Sequence, residues 1–243
     1  MNRTAQGVVL LLFGGAILRA SVTDLYLRYV KEGLRPFLIA AGILLVAAAV
    51  ATLWYELRGG RAAGEHSDGG GHGDGHGHAE PRVAWLLVLP VFALLLVAPP
   101  ALGSYAANRA GTALQETSDF PPLPPGDPVA VSVVDYATRA VYDEGRSLAG
   151  RTVRITGFVM VGDDGAPYLA RMTLSCCAAD ARPIKIGLDG AAVPSGLAAD
   201  TWLEVLGRYT PRSTKDSVND GVIPYLEVAE VRQVAAPANQ YDE

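Results

Sequence analysis

The stretch PFLIAAGILLVAAAVATLWY, residues 36–55, carries no charged side chain over twenty consecutive positions. An α-helix of about 20 apolar residues is long enough to cross the hydrocarbon core of a bilayer. The last two residues, Trp54 and Tyr55, have amphipathic rings that favour a membrane interface. The stretch therefore predicts a transmembrane helix, and with it a lipid bilayer as the surroundings of the protein.

Two further apolar runs flank this stretch. One covers residues 5–26 and the other covers residues 83–102, where Pro90 is expected to introduce a kink. Together the three runs predict a helical membrane part over residues 1–110. A signal peptide is the alternative for the first run, but Leu18-Arg19-Ala20 is a poor cleavage site and a second run follows at once. We expect a multi-pass membrane protein.

Two charged residues, Arg19 and Asp24, fall inside the first run. Ionisable residues within a membrane are commonly functional. Long charged side chains near a helix end can also reach the interface, however. We expect Arg19 and Asp24 to lie near a helix end and to reach the interface.

The basic residues do not decide which side of the membrane the C-terminal part occupies. With three spans, the N-terminus and the second loop share one side, which carries Arg3, Arg58, Arg61 and Arg82. The opposite side carries Arg28, Lys31, Arg35 and Arg109. The positive-inside rule finds no clear difference between these sets. Our expectation is a C-terminal domain outside the cytoplasm.

A loop rich in histidine and glycine, residues 58–82, separates the second and third runs. It holds every histidine of the chain and two aspartates that could add oxygen ligands: His66, His72, His76, His78, Asp68 and Asp74. Imidazole binds Zn²⁺ and other transition metals, while glycine makes the loop too flexible for a rigid site. The loop predicts weak, exchangeable capture of a metal ion. A solvated linker without a ligand is the alternative.

The remaining chain predicts a linker followed by a soluble domain. Residues 111–128 include the proline-rich string DFPPLPPGDP, which is typical of an extended spacer. Within residues 129–243, five segments have the composition of strands: 152–160, 167–174, 184–188, 201–209 and 223–234. Three strands, a short connecting element and two strands is the order of an OB-fold. We predict an all-β, OB-fold-like barrel with a short helix, and an open sandwich is the alternative.

Smaller signals refine this prediction. Residues 132–142 have mixed apolar spacing that suits a helix with Ser132 as its N-cap. The alanine-rich residues 190–199 could form a helical turn or a short helix. Gly157 and Gly207 each interrupt a predicted strand, where a bulge or a sharp bend is the usual reason.

The most specific local motif is LSCCAADA, residues 174–181, which contains both cysteines of the chain. Thiolates of Cys176 and Cys177 could bind Zn²⁺ or Cu(I), and Asp180 could add an oxygen ligand. The pair could instead cycle between a dithiol and a disulfide. It could also serve only as small apolar side chains. All three uses remain open at this point.

Composition argues against several other functions. Residues 129–243 carry more acidic than basic residues, so a nucleic-acid-binding face is not expected. Every histidine lies in the loop, so the soluble domain has no Ser/His/Asp or Cys/His arrangement. The chain also lacks a phosphate-binding P-loop. We identify no catalytic residue, and thiol–disulfide exchange is the remaining enzymatic alternative.

Four stretches resemble the YcgQ-type family of bacterial membrane proteins. They are LRYVKEGLRP (27–36), PPALGS (99–104) followed by NRAG (108–111), LAGRTVRITGFV (148–159) and RMTLSCCAADARP (171–183). The resemblance covers nearly the whole chain, and the last stretch is its most specific part. It implies a bacterial cell-membrane protein with a soluble C-terminal domain, commonly encoded beside a multi-spanning permease of the YcgR type. It supplies neither a substrate nor catalytic residues.

These observations lead to one expectation and two alternatives. We expect an accessory subunit of a membrane permease that handles a transition-metal ion, such as Zn²⁺, through the histidine-rich loop, the Cys-Cys motif or both. The first alternative is a membrane-anchored binding module for a peptide or a glycan. The second is a thiol redox protein that uses Cys176 and Cys177.

Overall fold

The computed structural model describes residues 3–62, 99–163 and 165–242. The histidine and aspartate ligands predicted in the 58–82 loop lie outside the described residues, as does most of the third apolar run. The described chain forms two compact units. One is helical and begins at the N-terminus, and the other comprises residues 27–31 together with the chain from Ala101 onward.

The helical unit is built from α1 (Arg3–Val22) and α2 (Arg35–Ala62). Both helices are long and apolar enough, by length and composition, to cross a membrane. Large apolar side chains such as Leu44, Phe37 and Leu57 are about 70% exposed, and soluble proteins rarely expose apolar surface on this scale. These helices therefore suit the lipid environment that the sequence predicts.

Helix α1 ends before the predicted first run does. It stops at Val22, and residues 24–28 form a 3₁₀ turn. Arg19 lies exposed in the last turn of α1, whereas Asp24 lies exposed beyond its end. Both charges are therefore placed at a helix terminus, where they can reach a membrane interface.

The two long helices approach each other at glycines. A Cβ atom added to Gly14 would lie 2.8 Å from Val46 Cγ2 and 3.1 Å from the carbonyl oxygen of Gly42. Small residues that allow such close backbone contact are typical of helix pairs in membranes. By contrast, a Cβ atom added to the neighbouring Gly15 would meet no atom within 4 Å.

This difference predicts that Gly14→Leu destabilises the helix pair and that Gly15→Leu does not. Forcing a large side chain into a closely packed contact costs about 1–3 kcal/mol. The measurement is an SDS titration of the protein purified in a Trp85→Phe/Trp202→Phe background, with helix separation followed by the fluorescence of Trp54. We expect a lower midpoint for Gly14→Leu only, and equal midpoints for both variants would contradict the packing described.

The second unit is a β-barrel with added edge strands. Its strands are β1 (Val129–Ala130), β2 (Val153–Val161), β3 (Pro167–Thr173), β4 (Arg182–Asp189), β5 (Trp202–Lys215), β6 (Val222–Gln233) and β7 (Tyr241–Asp242). The order β2-β5-β6-β4-β3 closes on itself because β2 also pairs with β3. Within this ring, β4 and β6 are parallel and the other pairs are antiparallel. This is the predicted OB-fold-like arrangement.

Both interrupting glycines have the predicted role. At Gly157, β2 passes from pairing with β5 to pairing with β3, and an added Cβ atom would lie 2.8 Å from the carbonyl oxygen of Ala170. At Gly207, the register between β5 and β6 shifts. These are the sharp bend and the bulge that allow five strands to close a small barrel.

The helix predicted over residues 132–142 is present. Helix α4 (Val133–Tyr142) follows the short α3 (Ser104–Arg109), and Ser132 Oγ accepts a hydrogen bond of 3.0 Å from the amide of Asp135 as its N-cap. Of the two forms predicted for residues 190–199, a helical turn or a short helix, the segment forms turns and no helix. Its two glycines, Gly190 and Gly196, have φ angles of +117° and +75°, which are incompatible with an α-helix.

The barrel unit begins earlier in the chain than the predicted boundary at residue 129. Ala101 and Leu102 pack against the barrel core, and α3 is held by Asp200, which accepts hydrogen bonds from Ser104 N at 2.6 Å and Ser104 Oγ at 2.9 Å. Leu123, within the proline-rich segment, packs against the other hydrophobic cluster of the barrel. Ala101, Leu102 and Leu123 therefore lie along the barrel, because their apolar side chains are partly buried against it.

Candidate metal centre

The Cys-Cys motif lies in the turn that follows β3. The sulfur atoms of Cys176 and Cys177 are 3.6 Å apart, and neither residue is in a disulfide. Cys176 is exposed and Cys177 is half-buried. Two free thiols therefore meet at an accessible point of the barrel surface.

Asp180 organises this turn through its carboxylate. Oδ1 accepts a hydrogen bond of 2.9 Å from the backbone N–H of Ser175. Oδ2 accepts from the backbone N–H groups of Cys176 at 2.9 Å and Cys177 at 3.4 Å. A short 3₁₀ helix, Ala178–Asp180, returns the carboxylate beneath the two cysteines. This local geometry explains why an aspartate so close in sequence to the cysteines also faces them in space.

The electrostatics of the turn keep one group charged and one group neutral. A hydrogen bond from the Cys176 thiol, together with those from the backbone amides, lowers the pKa of Asp180 to about 2. The same hydrogen bond to Asp180, followed by that to Cys177, raises the pKa of the Cys176 thiol to about 12. Redox-active cysteines have the opposite property, a lowered pKa. The turn thus presents a carboxylate that attracts cations and does not present an activated nucleophile.

The three donor atoms have a spacing that suits one metal ion. Sulfur and carboxylate oxygen atoms of Cys176, Cys177 and Asp180 all lie within 4.8 Å of one another. In a tetrahedral site with Zn–S bonds of about 2.3 Å, two sulfur ligands are roughly 3.8 Å apart. The observed sulfur separation of 3.6 Å is close to that value. The residues therefore fit three corners of a tetrahedral site for a thiophilic ion.

A cleft beside the turn leaves access for a fourth ligand. Its volume is about 520 Å³, and its lining includes Ser175, Asp180 and Arg182. Zinc sites with three protein ligands commonly complete their coordination with water or a substrate group. The cleft would allow water or a group from a partner to reach the donors.

Residues 27–31, which belong to the barrel unit, pair with this turn. Val30 forms an antiparallel bridge with Cys177. The amide of Lys31 donates to the carbonyl oxygen of Cys176 at 3.1 Å, and the amide of Ala178 donates to the carbonyl oxygen of Tyr29 at 2.7 Å. The backbone of both cysteines is therefore fixed from two sides, by Asp180 and by this segment.

The other residues proposed from the sequence occupy different places. The predicted ligands His66, His72, His76, His78, Asp68 and Asp74 lie outside the described residues. Arg19 and Asp24 belong to the helical unit. Among the residues that the structure describes, the predicted metal ligands that come together are Cys176, Cys177 and Asp180.

Sequence reasoning did not identify a buried ion pair in the barrel. Lys185 Nζ lies 2.8 Å from Asp216 Oδ2, and both side chains are at most 4% exposed. The signal was the position of Lys185 between Ile184 and Ile186, because the other charged residues of β4, Arg182 and Asp189, lie at its two ends. Asp216 gave no comparable signal, because it follows the polar end of β5.

Comparison with known proteins relates the barrel to one family model. The model described as the DUF1980 C-terminal domain matches residues 131–242. No curated protein and no solved structure shows a significant match to the chain. The match covers α4 and the strands from β2 to β7, together with the Cys-Cys turn. The barrel of this protein is therefore similar to the C-terminal domain of DUF1980-type proteins, a family without an established activity.

Proposed function

We propose that this protein is a membrane-anchored binder of a thiophilic transition-metal ion, Zn²⁺ or Cu(I), and that it serves a membrane permease as an accessory subunit. The observation that carries the proposal is the group of three donor atoms on Cys176, Cys177 and Asp180. An exposed site with three ligands exchanges its ion more readily than a closed four-ligand site. Exchange is what delivery to a transporter requires.

Metal binding explains this geometry better than thiol–disulfide exchange does. The thiols lie 3.6 Å apart, a distance that suits shared coordination of one ion. Asp180 raises the pKa of Cys176, which makes its thiol a poor nucleophile in the free protein. The same raised pKa opposes metal binding until the cation displaces the thiol proton. The same carboxylate supplies the negative charge that a cation needs.

Cobalt spectroscopy of the full-length, reduced protein tests the proposal. Co²⁺ substitutes for Zn²⁺, and thiolate ligands give an intense near-ultraviolet charge-transfer absorption that imidazole and carboxylate ligands lack. We expect this absorption to appear on titration and to disappear when Zn²⁺ displaces Co²⁺. The variant Cys176→Ser/Cys177→Ser should lose the band completely, because no thiolate remains.

The matched control replaces the four loop histidines, His66, His72, His76 and His78, with alanine. This variant should keep the charge-transfer band, although its total metal uptake can fall. Circular dichroism confirms that both variants retain the barrel. Absence of the band from the wild-type protein would remove the metal role from the Cys-Cys turn.

The permease role draws its support from the resemblance of the chain and from its few apolar helices. The described residues contain two helices that could span a membrane, which is too few to enclose a usual transport pore. Purification from native membranes in a mild detergent should recover a multi-spanning permease with this protein. Recovery of the protein alone, with the Cys-Cys turn still metal-bound, would contradict the permease role and leave the metal role standing.

The topology we propose follows from the pairing of residues 27–31 with the barrel unit. This segment lies between α1 and α2 in the sequence. If α2 crosses the membrane, a second crossing must follow before Ala101, so that the chain returns to the side of the barrel. The apolar run at residues 83–102 is the segment that the sequence offers for it. We place the barrel outside the cytoplasm.

A further inference from the structure

A second site lies at the opposite end of β3 from the Cys-Cys turn. We call it the barrel-mouth pocket, and the residues that define it here are Asn108, Asp163, Tyr168, Lys185, Asp216 and Ser217. Tyr168 is near the start of β3, whereas the Cys-Cys turn follows its end. At about 3.3 Å per residue, the strand separates the two sites by roughly 17 Å. The pocket is therefore distinct from the candidate metal centre.

The pocket occupies the place where barrels of this architecture bind ligands. It lies between the loop that joins β2 to β3 and the loop that joins β5 to β6, and it includes residues of both. In OB-folds, the corresponding two loops and the strand face between them form the ligand surface. Ser217 Oγ donates to Asp163 Oδ2 at 3.0 Å and so connects the two loops across the pocket. This is a structural reason to expect a ligand here.

Lys185 provides a second, independent reason. Its side chain is 4% exposed and lines the pocket. An ammonium group has three N–H donors, and within the described residues Lys185 has a single acceptor, Asp216. Buried donors are almost always satisfied. Water or the oxygen atoms of a ligand in the pocket can accept from the remaining two N–H groups.

The charges of the pocket indicate which kind of molecule supplies those acceptors. Lys185 and Lys215 are matched by Asp163 and Asp216, so the lining has no net charge. Donors and acceptors are both present, since Asn108 offers an amide with no hydrogen-bond partner among the described residues. A neutral molecule rich in hydroxyl groups can satisfy both kinds of group at once. An anion would be attracted by the lysines but repelled by the carboxylates.

The apolar lining and the volume of the barrel-mouth pocket further restrict the class of ligand that it can bind. Met160 and Ile223 form apolar parts of the wall, and Tyr168 adds an aromatic ring. The C–H faces of a sugar ring pack well on such surfaces, while its hydroxyl groups reach polar side chains. The volume is about 190 Å³, well below the roughly 300–1,000 Å³ of pockets for drug-sized ligands. A pocket of this volume can hold one small ring.

From these observations we infer that the barrel-mouth pocket binds one ring of a neutral saccharide. Lys185 and Asn108 would donate to ring hydroxyl oxygens, and Asp163 would accept from hydroxyl groups. Tyr168 would pack against the apolar face of the ring. The partner is therefore a glycan chain, of which one residue enters the pocket between the two loops.

Saturation-transfer NMR of the full-length protein in lipid nanodiscs tests this inference. Nanodiscs are essential because glycoside detergents would compete for the pocket. The probes are chitotriose and maltotriose as neutral saccharides, and citrate as an anion. We expect transfer to ring protons of at least one trisaccharide and none to citrate. Transfer to neither trisaccharide, or to citrate in place of a saccharide, would overturn the inference.

Two variants locate the binding. Asn108→Ala removes an exposed side chain that has no hydrogen-bond partner within the described part of the chain. The fold should therefore be unaffected, and saccharide affinity should fall at least fivefold. Cys176→Ser/Cys177→Ser, at the far end of β3, should bind the saccharide as the wild type does. Affinity that is unchanged in Asn108→Ala, or lost in the cysteine variant, would also overturn the assignment.

Discussion

Replacing Asp216 with alanine is expected to lower the free energy of unfolding of the barrel by about 3–5 kcal/mol. The Lys185 side chain is 4% exposed in the wild-type protein. The substitution leaves its ammonium group buried without a counter-ion. It also removes the acceptor for two backbone amides, those of Thr112 at 2.8 Å and Val218 at 2.9 Å. Buried charges and buried donors without partners are among the most costly defects in a folded protein. Urea denaturation followed by near-ultraviolet circular dichroism measures the loss.

The matched control for this substitution is Asp189→Ala. Asp189 also pairs with a basic residue, Arg212, at 2.6 Å, but both side chains are about half exposed. Pairs in that environment contribute about 0–1 kcal/mol. A loss for Asp216→Ala that is no larger than the loss for Asp189→Ala would show that the buried pair does not stabilise the barrel.

A double substitution separates the two causes of the expected loss. Lys185→Met/Asp216→Leu removes the buried charge while it fills a similar volume with apolar atoms. Apolar replacement of a complete buried pair is commonly neutral or stabilising. We expect the double variant to regain most of the stability that Asp216→Ala loses. The remainder is the contribution of the hydrogen bonds from Thr112 and Val218.

The buried pair also predicts a dependence on pH. Burial raises the pKa of Asp216, but hydrogen bonds from Lys185, Val218 and Thr112 outweigh burial, and the pKa lies below its usual value. A carboxyl group with a lowered pKa in the folded state stabilises the fold above its unfolded pKa of about 4. That contribution disappears as the pH falls through the folded pKa. The difference in the free energy of unfolding between the wild type and Asp216→Ala should therefore become smaller below about pH 4.

Local patterns in the sequence predicted the local features of the barrel well. The five strands, the N-cap at Ser132 and the roles of Gly157 and Gly207 depend on residues close together in the chain. The Cys-Cys turn could be predicted for the same reason, because its third donor, Asp180, is only three residues beyond Cys177. Short-range geometry determines such features, and a single sequence contains it.

Long-range contacts could not be predicted in this way. Lys185 and Asp216 are far apart in sequence, and closure of the barrel brings them together. The barrel-mouth pocket depends on the same closure. Residues 190–199 have alanines that favour a helix, but Gly190 and Gly196 adopt left-handed conformations, and the barrel needs a turn there. In these places tertiary structure overrides local propensity.

The pairing of residues 27–31 with the Cys-Cys turn predicts that the first loop and the barrel share one side of the membrane, and the proposed topology puts the histidine-rich loop on the other side. Substituted cysteines are introduced singly in the background Cys176→Ser/Cys177→Ser and labelled in intact cells with a maleimide that cannot cross the membrane. Gly33→Cys samples the loop between α1 and α2, since this glycine is exposed and its Cβ position is open. Ser213→Cys samples an exposed position of the barrel. Ser67→Cys samples the histidine-rich loop.

We expect Gly33→Cys and Ser213→Cys to label from outside the cell, and Ser67→Cys to label only after the membrane is opened. The result is all-or-none, because a residue on the wrong side of the bilayer does not meet the reagent. Hydrogen bonds between Lys31 and Cys176, and between Ala178 and Tyr29, can form only if the first loop and the barrel share one aqueous compartment. Labelling of Gly33→Cys and Ser213→Cys from opposite sides would therefore rule out this pairing in the membrane. Labelling of all three from one side would show that α2 does not cross the bilayer.

The expected pattern places the histidines of the loop and the donors of the Cys-Cys turn on opposite sides of the membrane. A metal ion bound first by one group and then by the other must therefore pass through the membrane between them.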